Sequence, residues 1–194
     1  MLIKNEFEVA QPIDAVWEFL KDIPQLAKCL PGTELTDDLG DDKYKGGVAI
    51  SMGPVKLRFA GLADITERDE TAKRIVVDAE GAEVNGRGQA GMLLTAGLLP
   101  VGQGTKVAID MDLLISGAAA QYGRGMISDV TTVLLQQFAV NMQQRIAAVQ
   151  RGEDPDQIEG AAPASGFGIA VQALKMALTR VFSRFFLPYQ PNPN

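Results

Sequence analysis

Histidine is absent from this sequence of 194 residues, and Cys29 is its single cysteine. Without histidine the chain lacks the commonest general base and metal ligand of proteins. A lone cysteine excludes an internal disulfide and a cysteine-cluster metal site. The chain therefore lacks the catalytic bases and metal sites on which most enzyme classes depend. We therefore predict a protein that is not an enzyme, with no catalytic residues, no metal site and no intrinsic cofactor.

Basic residues are also scarce, with 18 Lys and Arg against 24 Asp and Glu and a net charge of −6. Phosphate backbones would repel such a chain, so we predict no nucleic-acid partner. The charge is uneven, because no acid follows Glu159 whereas Lys175, Arg180 and Arg184 do. The sequence therefore combines an acidic body with a basic tail.

The N-terminal segment carries Glu6 and Glu8 and no apolar run of signal-peptide length, so we expect a cytoplasmic protein. The length suits one domain with a sizeable core. Hydrophobic alternation predicts a first strand at 2–9, followed by two short helices around Pro12 and Pro24. Alternation resumes in segments 43–52, 55–66, 74–80, 87–98 and 105–116.

A long helix is predicted from Arg124 to Val149, with Gln136, Gln144 and Arg145 outside its apolar stripe. The stripe comprises Met126, Val130, Val133, Leu134, Phe138, Met142 and Ile146. A sheet with one apolar face needs a cover, and this helix is long enough to supply it. We predict an α+β domain at 1–151, in which an antiparallel sheet of about seven strands packs on this helix.

The remainder divides by composition into a flexible linker at 152–166, an amphipathic helix at 167–187 and a disordered tail at 188–194. On a helical wheel basic and apolar side chains of 167–187 separate, which favours binding in the plane of a membrane surface. The alternative is that this helix packs on the body or in a dimer. The predicted membrane-binding residues are Phe167, Leu174, Lys175, Leu178, Arg180, Val181, Phe182, Arg184, Phe185 and Phe186.

Several short motifs are spaced along the chain, namely Phe7-Glu8-Val9, Pro12, Val16-Trp17, Leu20, Asp22, Cys29-Leu30-Pro31-Gly32, Tyr44-Lys45-Gly46, Gly53-Pro54-Val55, Phe59-Ala60-Gly61, Gly117 and Ala120-Gln121-Tyr122-Gly123-Arg124. Together they resemble the G-subunit family of carbon monoxide dehydrogenase, within the START/Bet v 1-like (SRPBCC) superfamily. The resemblance covers about residues 1 to 150. It implies a helix-grip fold, in which a curved sheet wraps a long helix around an apolar cavity. It also implies a partner, a molybdenum-containing CO dehydrogenase.

Methionine is frequent on the predicted inward face, and small residues interrupt the strands there. Such a face is ordinarily plain core, but flexible Met also suits an apolar guest. Together with the resemblance this predicts a cavity. Its predicted lining residues are Val48, Ile50, Met52, Leu57, Phe59, Val77, Ala90, Met92, Leu94, Ile109, Met111, Leu113, Met126, Val130 and Phe138.

The resulting hypothesis is a membrane-docked protein that binds a lipophilic molecule and is attached peripherally to the inner face of the cell membrane. Electrons released by the implied partner must reach a respiratory chain, so the partner, the fold and the tail together predict a respiratory quinone, menaquinone or ubiquinone, as the molecule presented to the dehydrogenase. The alternative hypothesis is an adaptor with a filled core, which recruits the dehydrogenase to the membrane or assists its maturation.

Three other signals are interpreted as structural. Gly86 to Gly91 satisfies GxGxxG, but Asn85-Gly86 predicts a hairpin and a strand follows instead of a helix. Lys28 beside Cys29 could lower the pKa of the thiol, yet packing near a turn is the simpler interpretation. The acid pairs Asp37-Asp38 and Asp41-Asp42 fit no EF-hand spacing, and we predict a solvated loop.

Overall fold

The computed structural model describes residues 1–52, 55–86 and 88–158. A curved seven-stranded antiparallel sheet wraps one long helix, which confirms the predicted α+β helix-grip architecture. The strands are β1 Leu2–Val9, β2 Thr33–Gly40, β3 Lys43–Met52, β4 Val55–Asp69, β5 Arg74–Glu83, β6 Gln89–Val101 and β7 Gly104–Ile115. The helices are α1 Ile13–Lys21, α2 Ile23–Cys29 and α3 Arg124–Gln150, with short 3₁₀ helices at Gly117–Gln121 and Pro155–Gln157.

The sheet has the order β1-β7-β6-β5-β4-β3-β2, with each neighbouring pair antiparallel. Strand alternation puts one set of side chains on the face toward α3, here called the inner face, and the other set on the opposite, outer face. One in-register row across the inner face consists of Ile65, Val77, Leu94, Met111 and Ile3. The two-residue period seen in the sequence therefore translates directly into the apolar face that α3 covers.

β2 is absent from the sequence-based prediction, and the loop predicted for Asp37 and Asp38 is wrong. Both residues lie in this exposed edge strand, which has register irregularities on either side of them. Asp41 and Asp42 do form a turn, with φ of 50° and 61°. Left-handed backbone at both central positions suits a tight hairpin and is tolerated by aspartate. The acids of β2 also discourage pairing of this edge with another chain.

Glycine allows β4 and β5 to approach unusually closely at Gly61 and Gly81, which face each other in the register. A Cβ on Gly61 would lie 1.9 Å from the carbonyl oxygen of Glu80 and 2.5 Å from Cα of Gly81. Both atoms belong to backbone, which cannot rotate out of the way. This close approach accompanies the curvature of the sheet around α3.

Two short helices close one end of the sheet, and Asp22 joins them. The Asp22 backbone N–H donates to the carbonyl of Phe19 at the end of α1, and its side chain accepts from the N–H of Gln25 at the start of α2. Such an acidic N-cap satisfies a helix donor that would otherwise be unpaired. Trp17 of α1 is fully buried against this end of the sheet, and its Nε1 donates to Glu70 over 2.8 Å.

The predicted position of Arg145 on the outside of α3 is wrong, because this side chain is buried. Its guanidinium donates to Oε1 of Gln25 and to the carbonyl oxygens of Pro155 and Ile158, over 2.9, 2.9 and 3.2 Å. The hydrogen bonds compensate the cost of removing a charge from water. The chain after α3 therefore folds back against α2, and residues 155–158 of the predicted linker pack on the body.

Candidate functional site

The inner face of the sheet collects most of the predicted cavity residues in three apolar clusters with α3. Buried among them are Leu57, Phe59, Ile109, Met111 and Val130. Partly exposed, yet packed against the same clusters, are Val48, Ile50, Val77, Ala90, Met92, Leu94, Leu113 and Phe138. The structure thus brings these residues to one surface, although they come from five strands and one helix.

Met126 and Met52 fall outside that set for different reasons. Met126 is 42% exposed, because the first turn of α3 directs the neighbouring Ile127 toward Ile3 and Met111. Its predicted inward position is therefore wrong. Met52 ends β3, but its side chain lies outside the described part of the molecule.

The two halves of α3 have very different surroundings. Around the C-terminal half, Met142 and Ile146 pack in one cluster with Trp17, Val9 and Cys29, and none of these five side chains is more than 4% exposed. Close packing of this kind leaves no room for a guest. This half is structural core, and it anchors α3 against the closed end of the sheet.

The N-terminal half of α3 faces a looser region. Val130 and Val133 are buried there, but apolar side chains opposite them stay partly exposed, among them Val48, Ile50 and Ala90. The backbone of α3 runs closest to the edge strand β1 and to α1 and α2, and is more distant from the central strands. Apolar inner-face atoms therefore remain open to solvent between this half of the helix and the sheet. Such a surface can bind an apolar molecule.

The predicted cavity lining omits several residues of this looser region. Ile115, Tyr122 and Leu134 pack with its clusters and are also only partly buried. Tyr122 follows the 3₁₀ helix between β7 and α3 and contributes to two clusters, so its ring links the end of the sheet to the helix. Tyrosine combines an apolar ring with a polar hydroxyl, which suits the boundary of an apolar site.

The GxGxxG segment lies beside this region and serves the hairpin. Gly86 belongs to the loop between β5 and β6, where a Cβ would lie 1.9 Å from Oε2 of Glu83, and Gly91 belongs to the antiparallel strand β6. No helix opens after the motif, so its geometry cannot hold a pyrophosphate on a helix N-terminus. The interpretation of this segment as a hairpin is confirmed.

A concavity of about 770 Å³ is lined by residues of β4 to β7 whose side chains belong mostly to the outer face. Its lining is Ala60, Gly61 and Leu62 of β4, Glu80, Gly81 and Ala82 of β5, Gln89, Ala90 and Gly91 of β6, with Leu114, Ile115 and Ser116 at the end of β7. Ala60, Leu62, Glu80 and Leu114 are exposed, whereas inner-face residues such as Phe59 alternate with them. Among the predicted cavity residues, Ala90 alone lines this groove.

The environment of Cys29 is that of a packed core residue. The side chain is fully buried, and Sγ lies 3.4 Å from the carbonyl oxygen of Gln25. Burial raises the pKa of the thiol to about 12, and the nearby charge of Arg145 opposes this only in part. Lys28 therefore does not activate the thiol, and its ammonium instead pairs with Asp156 over 2.5 Å. The packing interpretation is confirmed.

Over residues 1–52, 55–86 and 88–158, no group of three or more His, Cys, Asp or Glu side chains has a metal-binding arrangement. Within the same ranges no helix combines the length and the apolar content needed to cross a membrane. The predicted amphipathic helix at 167–187, the linker from residue 159 and the tail at 188–194 lie outside these ranges.

Comparisons with solved structures support the fold. A conserved protein from Geobacillus kaustophilus is similar over 76% of this chain and 95% of its own, with 23% identity and a TM-score of 0.68. A protein from Thermus thermophilus gives 16% identity over 77% of this chain and 99% of its own, with a TM-score of 0.56. A START superfamily protein from Mycobacterium smegmatis gives 13% identity over 76% and 98%, with a TM-score of 0.52. At such identities the likeness establishes the fold alone.

Among curated proteins no sequence matches this chain. A family profile does match, over residues 6–147, and it describes the G subunit of carbon monoxide dehydrogenase (CoxG). The matched range covers the second half of β1, strands β2 to β7 in full and all but the last turn of α3. The chain therefore belongs to the carbon monoxide dehydrogenase G-subunit (CoxG) family.

Proposed function

We propose that this protein binds a lipophilic molecule between the N-terminal half of α3 and the inner face of the sheet. The ligand is a respiratory quinone, menaquinone or ubiquinone, which the protein presents to a molybdenum-containing CO dehydrogenase. Family membership supports the partner. Electrons released by that enzyme need an acceptor, and a quinone dissolved in the membrane is out of reach of an enzyme in water. The protein itself performs no redox chemistry in this proposal.

The observation that carries the proposal is the partial exposure of apolar residues on the inner face. Ile50, Ala90 and Met92 face α3 and yet remain open to solvent, whereas Met142 and Ile146 further along the helix are sealed. Each buried methylene group of a prenyl chain would gain about 0.8 kcal/mol in such a site. The methionines at positions 92 and 111 adapt readily to a flexible chain.

Membrane docking is the second part of the proposal, and it rests on the sequence of residues 167–187. Lying in the interface buries apolar residues such as Leu174 and Phe185 and keeps Lys175, Arg180 and Arg184 at the anionic headgroups. Each basic residue near such a surface contributes about 1 kcal/mol. The hydrogen bonds from Arg145 to Pro155 and Ile158 hold residues 155–158 in place, and the described part of the chain ends there.

Organic extraction of the purified full-length protein tests the ligand. We expect mass spectrometry of the extract to identify menaquinone or ubiquinone at close to one molecule per chain. A matched variant, Ala90→Phe, places a ring on the inner face and should lose the quinone. Ala49→Phe makes the same change on the outer face of β3, where Ala49 is exposed, and should retain it. An extract without any lipophile would favour the adaptor with a filled core.

Vesicle co-sedimentation tests the docking. We expect the full chain to sediment with anionic vesicles, and the triple variant Lys175→Gln, Arg180→Gln, Arg184→Gln to bind them far more weakly. Binding to neutral vesicles should change little, because the apolar residues are kept. Equal binding of both proteins to anionic vesicles would remove the electrostatic part of the proposal.

A further inference from the structure

The outer face presents apolar side chains that the described residues leave uncovered. Leu62, Leu93 and Leu114 are 45, 50 and 71% exposed, and they belong to β4, β6 and β7. In the register, Leu62 lies opposite Glu80, Glu80 opposite Gly91, and Gly91 opposite Leu114. Gly91 leaves a gap in this row between Glu80 and Leu114. The gap opens into the outer-face groove of about 770 Å³, whose other wall includes Ala60 and Ala82.

Two acids beside these leucines are uncompensated, because Glu80 lies opposite Leu62 in the register and Asp78 lies opposite Leu93. Asp78 and Glu80 point outward from the central strand β5 and have no hydrogen bond or ion pair with any described side chain. Asp78 also lies directly opposite Asp64, whose nearest cation is Lys43 at 3.6 Å. Like charges in opposed positions destabilise a sheet. The groove is therefore an apolar surface with unbalanced negative charge beside it.

Residues 167–187 have the complementary composition. This segment carries Lys175, Arg180 and Arg184 without any acid, together with large apolar residues such as Leu178 and Phe182. An apolar helical face needs a cover whenever the protein is away from a membrane, because contiguous exposed apolar area promotes aggregation. The outer-face groove offers both the apolar contact and the opposite charge.

The length of the chain permits this contact. Residues 159–166 can span about 28 Å when extended, and a helix of 21 residues adds about 31 Å. A body of this size has a radius of gyration of about 15 Å. A tail that starts at Ile158 can therefore lie along the outer face of its own sheet.

From these observations we propose that residues 167–187 dock as a helix in the outer-face groove of the same molecule when no membrane is present. The apolar side of the helix then lies on Leu62, Leu93 and Leu114. The long side chains of Lys175, Arg180 and Arg184 extend from its flanks to Asp78 and Glu80. Anionic lipid competes for the same basic and apolar residues, so membrane binding releases the groove. This device does not depend on the ligand bound at the inner face.

Thiol cross-linking in the full chain tests the docking. Ala82→Cys lines the groove and Ala177→Cys lies in the tail, while native Cys29 stays in place because it is buried. With a short bismaleimide we expect an intramolecular link in buffer, identified by mass spectrometry of the peptides. We expect the yield to fall at least tenfold with Asp78→Lys and Glu80→Lys, or on addition of anionic vesicles.

The matched control carries Ala72→Cys in place of Ala82→Cys. Ala72 is exposed in the turn between β4 and β5, at the end of those strands that is distant from the groove. A tail that is merely tethered would link to position 72 at least as readily as to position 82, because residues 155–158 lie beside α2 at the same end of the sheet as Ala72. This result would overturn the proposal. A link found only between two chains would also overturn it, since the occupant would then be the tail of a second copy. If the link forms in buffer and persists with anionic vesicles, the proposed release by lipid is wrong. If the protein does not bind vesicles at all, the proposed docking to membranes is wrong and the contact within the molecule is unaffected.

Discussion

The guanidinium of Arg145 donates a hydrogen bond of 2.9 Å to the carbonyl oxygen of Pro155, ten residues further along the chain. The donor is buried within the last turns of α3, and the acceptor lies in the segment that leads to the tail. This bond, with those to Gln25 and Ile158, holds residues 155–158 against α2 and the end of α3.

Arg145→Ala should therefore destabilise the fold by about 2–3 kcal/mol, because two carbonyl groups and an amide lose a charged donor. Urea denaturation of the full chain measures the change. Arg151→Ala is the matched control, since Arg151 is exposed and bonds only Glu153 two residues away. Surface pairs of this kind contribute little. Equal effects of the two variants would contradict the role given to Arg145.

Gly61→Ala should cost about 2–3 kcal/mol, because the new methyl group meets the backbone of β5 and the strands must move apart. Gly97→Ala on β6 is the control, since no atom lies within 4 Å of its Cβ position. Thermal or urea unfolding of the two variants should separate them clearly. A Gly61→Ala protein as stable as the wild type would show that β4 and β5 are further apart than in this structure.

The ionisation of Glu70 should make the stability of the fold depend on pH. The hydrogen bond from Lys21, with that from Trp17, lowers the pKa of Glu70 below its ordinary value of 4.5. A lowered pKa stabilises the fold above pH 4.5, and this contribution is lost as the pH falls through the folded-state value. The Tm of the wild type should then fall more steeply below pH 4.5 than that of Glu70→Gln. Glu8→Gln, an exposed change on β1, should leave the steep profile intact.

The thiol of Cys29 should resist modification in the folded protein. Because burial raises its pKa to about 12, almost no thiolate forms at pH 8, and reagents cannot reach the sulfur. We expect labelling by a disulfide reagent to proceed only in denaturant. Lys28→Ala should not alter the rate, since Lys28 pairs with Asp156. Fast labelling of the native protein would contradict the packing interpretation.

The sequence predicted those parts of the fold in which local pattern and tertiary burial agree. Val107, Ile109 and Met111 alternate with polar residues and are buried on the inner face. Asp37 and Asp38 have low strand propensity, and only pairing with β3 makes β2 a strand. The phase of the α3 stripe was ambiguous at Met126, because its exposure depends on which neighbour the first turn presents to the sheet.

The remaining features depend on contacts between distant residues. Arg145 resembles a surface residue until Gln25 and the carbonyl groups of Pro155 and Ile158 come within reach of it. The inner-face residues could be named by alternation, but the contrast between the sealed and the looser half of α3 could not. Likewise, the outer-face groove arises where Gly91 adjoins Leu114 across two strands, which no local pattern reveals.

The most direct test of the central proposal is thermal unfolding with and without a short-chain menaquinone. A ligand that binds only the native state, present at 100 times its Kd, adds about 2.7 kcal/mol. For a chain of this length we expect the wild-type Tm to rise by about 5 °C or more. Ala90→Phe should show no rise, and Ala49→Phe should behave as the wild type. A wild-type Tm that menaquinone leaves unmoved, together with a lower Tm for Ala90→Phe, would contradict the carrier function and indicate a filled core.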